Sequence, residues 1–124
     1  MARPWTADET TNLARAWLEV SEDPNATRYQ QGRTFWLRIK LVFNNLQNNQ
    51  GEERTIESLQ GNWRKMRRDI MNFQHIVARL NNQINQNNRM VLENALVEYN
   101  LTHPQFLYIA EWNILRASAI FMNF

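Results

Sequence analysis

From Ile56 onward an apolar residue recurs at every third or fourth position: Leu59, Trp63 and Met66, then Ile70, Phe73, Ile76 or Val77, and Leu80. That is the period of one buried helical stripe, and no Pro interrupts it. At about 100° per residue the opposite face carries Glu57, Gly61, Arg64, Lys65 and Arg68, with Gln60 and Arg67 on its flank. In the stretch RTIESLQGNWRKMRR, five cations (Arg54, Arg64, Lys65, Arg67, Arg68) against Glu57 leave a charge of +4, while residues 1–53 and 69–124 each sum to −1. The whole net charge of +2 is therefore local. A helix packed on one side and cationic on the other has the form of a DNA recognition helix, because neutralising phosphates supplies much of the affinity and side chains on that face reach base edges. A solvated basic face without a partner has the same pattern.

The rest of the chain is expected to be all-α. Three Gly and three Pro punctuate 124 residues, and β-branched runs are missing. Five Trp and six Phe supply one ordinary core. Without cysteine there are no disulfides, thiolate metal sites or Cys nucleophiles. No run of about 18 apolar residues is present, and MARPWTADET lacks the apolar centre of a signal peptide, so a soluble, unsecreted protein is expected. The 26 Asn and Gln residues concentrate in FNNLQNNQ (43–50) and NNQINQNN (81–88), which read as compositional bias in loops and frayed helix ends.

Thr6 and Glu9 have capping-box spacing, so a first helix begins near Ala7; Leu13, Trp17 and Val20 mark its buried stripe, and Asp23-Pro24 ends it. Trp5 is expected to fold back on the core. A polar connection (21–32), with a short turn at Ala26 to Gln30, leads to a second helix over Arg33 to Gln47. Thr55 is placed to cap the central helix, with Ser58 as the alternative. That helix is expected to continue to Leu80 or Ile84 and to pack its second half on two further helices, about Met90 to Leu101 and about Pro104 to Ser118. Thr102 and Gln105 repeat the capping-box spacing for the last of these, with Pro104 in its first turn. The apolar tail ASAIFMNF, without a cap, either docks on its own core, marks a cut in a longer protein, or meets a partner.

Read together, PWTADETTNLARAWLEVSED, FWLRIKLVFNN and RTIESLQGNWRKM resemble the Myb/SANT-like domain in its trihelix-type form, as found in plant transcription-factor-like proteins and in DNA-binding proteins related to Harbinger-type transposons. ALVEYN and FLYIAEWNILR resemble the region that follows this domain in the no-apical-meristem-associated subgroup. The resemblance implies a three-helix helix-turn-helix core over residues 1–80 with Trp5, Trp36 and Trp63 as markers, Trp17 also in the core, an elongated third helix, and a C-terminal helical extension over 81–124. The spacings of 31 and 27 residues between markers, longer than in ordinary Myb repeats, fit the trihelix form. The third helix would enter the major groove of double-stranded DNA. Arg54, Gln60, Gly61, Arg64, Lys65, Arg67 and Arg68 form the expected DNA-binding set. The residue before the third tryptophan, commonly basic in the family, is Asn62 here.

On this reading Arg64, Lys65 and Arg68 contact phosphates or guanine edges, Gln60 reads adenine, and Gly61 allows close approach of the backbone. Arg3 offers an arm contact, and a surface network of Glu57 with Lys65 or Arg64 is the structural alternative. The apolar C-terminal helices suggest a homodimer or a partner protein. The competing function is a SANT-type protein-interaction module without DNA binding. An enzyme is not expected: His75 and His103 stand apart, the aspartates Asp8, Asp23 and Asp69 form no frame for catalysis, and nothing calls for a metal, cofactor, membrane or small-molecule substrate. Nuclear localisation follows from the DNA reading alone, whether as a host transcription regulator or a transposon-related factor.

Overall fold

Thr6 Oγ1 accepts a hydrogen bond from the Glu9 N–H and the Thr6 N–H donates to Glu9 Oε1, each at 3.1 Å, so the capping box forms and the first helix starts where expected. The computed structural model describes residues 3–24, 32–83 and 87–122. Among them are six helices and no strand: α1 (Ala7–Glu22), α2 (Arg33–Leu46), α3 (Ile56–Gln83), α4 (Asn88–Thr102), α5 (Ile109–Leu115) and α6 (Ala119–Met122). The all-α reading therefore holds. The expected turn at 26–30 and the residue Ile84 lie outside the described residues.

Asp23 ends α1 in an extended conformation, ahead of Pro24. Beyond α2 the chain reverses through Asn48 and Asn49, both at φ 55°, and Gly51 at φ 80°. Thr55 Oγ1 then accepts the Ser58 N–H at 3.1 Å, so Thr55 rather than Ser58 caps α3. At 28 residues α3 is about 42 Å long.

Two compact units divide the chain: Met1–Arg64 with Ala110–Phe124, and Lys65–Ile109. The division falls inside α3, and the C-terminal segment is shared between the units.

In the first unit α1 packs on α2 and on α6. Its core holds Leu13, Ala14, Ala16, Trp17 and Val20 of α1, Phe35, Trp36, Ile39 and Phe43 of α2, and Ile56, Leu59 and Trp63 of α3. Trp17 stacks on Trp63 at 4.6 Å with planes 18° apart, and Phe121 of α6 meets both rings edge-on at 5.8 and 5.9 Å. Three aromatic rings from distant parts of the chain thus share one desolvated site, an arrangement worth about 0.5–1.5 kcal/mol per pair beyond the area buried. The apolar tail docks on its own core through Phe121, and it is capped after all: Ser118 Oγ accepts the Phe121 N–H at 3.4 Å. Trp5 is half-buried against Phe43, 5.8 Å between rings. Trp112 of α5, absent from the expected core set, is fully packed.

The second unit is built on Met66, Ile70, Phe73 and Val77 of α3 with Val91, Ala95 and Tyr99 of α4. Phe73 meets Tyr99 edge-on at 6.0 Å and stacks on Phe106 at 4.3 Å. The expected helix over Pro104 to Ser118 is corrected here, since only Ile109–Leu115 is helical. Thr102 is the last residue of α4, its hydroxyl donating to the Tyr99 carbonyl at 3.5 Å, and it caps no new helix. His103 is extended, as a residue before Pro is biased to be, and the Phe106 N–H is taken by Asn100 Oδ1 at 3.1 Å. Burial of Phe106, exposure of Leu107 and burial of Tyr108 follow the alternation of an extended segment, not a helical stripe.

Candidate nucleic-acid interface

The apolar stripe of α3 dictates which side chains its other side offers. Ile56, Leu59, Trp63, Met66, Ile70, Phe73 and Val77 are all buried, while Glu57, Gly61, Arg64, Lys65 and Arg68 are all exposed and Gln60 and Arg67 are half-buried. The sidedness read from the sequence is thus present residue by residue. Gln60, Gly61 and Arg64 close the first unit's share of the helix, and Lys65, Arg67 and Arg68 open the second's.

Arg64 Nε donates back to the Gln60 carbonyl at 3.4 Å, within its own helix. Lys65 Nζ donates to Tyr108 Oη at 3.0 Å. Arg68 Nε bonds Asp69 Oδ1 at 3.2 Å between adjacent positions, the guanidinium exposed and the carboxylate half-buried, an ion pair of small net worth. Glu57 faces Arg33 at 3.9 Å and not Lys65 or Arg64, so the expected surface network on α3 is replaced by a loose pair with the first residue of α2. Gly61 is open: a Cβ built there would meet nothing within 4 Å.

The structure engages Arg54 and Arg3 within the fold. Arg54 is 6% exposed. Its Nε and Nη2 donate to Glu9 at 2.8 and 3.0 Å, Nη1 and Nη2 also reach the Arg3 and Pro4 carbonyls at 2.9 and 2.8 Å, and its guanidinium lies 4.4 Å from the Trp5 ring centroid. Four of its five N–H donors are used inside the fold, and burial keeps the cation away from a nucleic acid. Arg3 is likewise engaged, with Glu9 at 3.2 Å and with the Glu52 carboxylate and carbonyl at 3.4 and 2.8 Å. The Arg54 hydrogen bonds, with further help from the Thr6 amide and Arg3, outweigh burial and hold the Glu9 carboxyl down at about 2.

A cleft of about 570 Å³ opens between the start of α1 and the loop after α2, and Arg3, Asp8, Asn12, Arg15, Gln47 and Asn48 line it. Asn12 Nδ2 donates to Gln47 Oε1 beside it. Among the described residues no group of three His, Cys, Asp or Glu side chains is placed to hold a metal ion, and no helix is long and apolar enough to cross a membrane.

Tyr108, at this face, is a residue that the local pattern did not announce. Its ring is buried 43 positions along the chain from Lys65, and no spacing rule connects the two. No protein-family model, curated protein or solved structure matches this chain.

Proposed function

We propose that this is a DNA-binding protein that presents the exposed side of α3 to the major groove, in the manner of the Myb/SANT-like domains it resembles, as a transcription regulator or a transposon-related factor. The observation that carries the reading is the exposure of Arg64, Lys65 and Arg68 along one side of a helix whose other side is fully packed. A guanidinium pairs bidentately with guanine O6 and N7 or with a phosphate, and an ammonium serves as a point charge for phosphate. Gln60, beside them, has the amide that pairs with adenine. With Arg54 withdrawn, the set is Gln60, Gly61, Arg64, Lys65, Arg67 and Arg68. Three or four phosphate contacts confer modest affinity with a steep salt dependence, about 0.9 in log–log slope per phosphate.

Titration of random duplex DNA at two salt concentrations tests this, using wild type and an Arg64→Glu/Arg68→Glu variant of unchanged helicity. Salt-sensitive binding that the variant loses is expected. Absence of binding at low salt, or equal binding by the folded variant, overturns the reading.

A protein-interaction module is the second reading. It is favoured by a stripe on α4, where Met90, Val97 and Leu101 are 48, 63 and 78% exposed, with Asn94 completing helical steps of four, three and four. Such a module would be indifferent to charge reversal on α3 and sensitive to polar substitution on α4.

A further inference from the structure

Lys65 is an exposed cation held by a neutral partner. Its Nζ donates to Tyr108 Oη at 3.0 Å and lies 5.4 Å from the centroid of the same ring. Among the described residues no carboxylate pairs with it, whereas Arg68 has Asp69 and Arg33 has Glu57. Tyr108 is itself fixed. It is 6% exposed and meets Phe106 edge-on at 6.0 Å. Phe106 in turn stacks on Phe73, meets Tyr99 at 5.1 Å, and has its N–H held by Asn100. The extended segment before α5 therefore ends in a rigid phenol placed at the ammonium of α3, within the second unit.

A free lysine has many rotamers to lose when its ammonium is immobilised. A carboxylate partner would order the side chain and cancel its charge. A phenol orders it, takes one of its three N–H donors, and leaves the full charge with two donors for a ligand.

We propose that Tyr108 is a positioning residue for a contact between Lys65 and a phosphate of the nucleic-acid backbone, preordering an ammonium that it does not neutralise. The proposal rests on the DNA-binding reading of α3 and adds to it a role for the C-terminal segment.

A double-mutant cycle tests it, with wild type, Tyr108→Phe, Lys65→Ala and the double variant titrated against random duplex, each checked by thermal melting. Tyr108→Phe keeps the ring and should weaken binding about two- to tenfold when Lys65 is present, the cost of ordering one long side chain. In the Lys65→Ala background the same change should have no effect. Lys65→Ala should lower the salt slope by about 0.9, and Tyr108→Phe should leave the slope unchanged. In free wild type, ¹⁵N relaxation should find the Lys65 ammonium ordered. A Tyr108→Phe loss equal in both backgrounds, no loss in either, or a freely rotating ammonium overturns the positioning role while wild-type binding leaves the DNA reading standing. A wild-type chain that ignores duplex DNA overturns both.

Discussion

Both carboxylate oxygens of Glu9 accept hydrogen bonds from the single guanidinium of Arg54, at 2.8 Å from Nε and 3.0 Å from Nη2, across 45 positions of sequence. The pair ties the first turn of α1 to the entry of α3, and both side chains are about 95% buried. Removing one partner would strand the other's charge out of water. Arg54→Ala is therefore expected to destabilise the fold by about 3–5 kcal/mol in urea or thermal unfolding. A loss below about 1 kcal/mol would mean that solvent reaches the site.

The same pair sets an acid dependence. The folded Glu9 carboxyl is lowered from 4.5 to about 2, so the unfolded chain binds its proton first as the pH falls. Stability from this group is complete above the unfolded value and is lost as the pH drops from 4.5 through about 2. Its size is on the order of 3 kcal/mol. Urea midpoints measured stepwise through that window should fall in wild type and fall less in Glu9→Gln. Identical acid profiles would remove Glu9 as the cause.

Gly61 sits inside α3 with open space where a Cβ would be, so nothing within the fold calls for glycine. Gly61→Ala should raise stability by about 1 kcal/mol, the difference in helix propensity. If DNA approaches the backbone at this point, duplex affinity should fall in the same variant. A more stable protein with unchanged affinity would take Gly61 out of the interface.

Phe121 is fully buried, edge-on to both Trp17 and Trp63. Phe121→Ala should cost about 3–5 kcal/mol and shift the tryptophan fluorescence of the stacked pair. A cost near zero would show that the tail contributes no packing.

What could be read in advance follows from how far each signal reaches along the chain. The stripe from Ile56 to Val77 and the Thr6–Glu9 box are local, since a helix brings residues three and four apart together wherever it lies. Both formed as expected, and with them the exposed set on α3. Arg54 entered the DNA set on its charge alone, and charge says nothing of burial when the partner is 45 residues away. Over 104–108 a helix is expected because Phe106, Leu107, Ile109 and Ala110 fit a helical period, while the features that oppose it, Asn100 taking the Phe106 amide and Phe73 receiving the ring, lie elsewhere in the chain. Tyr108 was missed for the same reason.

The asparagine-rich run after α2 read as bias, yet Asn48 and Asn49 stand in the left-handed region, which side chains other than Gly, Asn and Asp adopt at a cost. The tract is simple in alphabet and specific in place. Glutamine, its nearest chemical neighbour and abundant in the same run, would be a conservative exchange at Asn45 and a strained one at Asn48 or Asn49. Drift within an Asn/Gln-rich tract is thus filtered by backbone geometry, and a repeat that looks interchangeable to a composition count carries positional information.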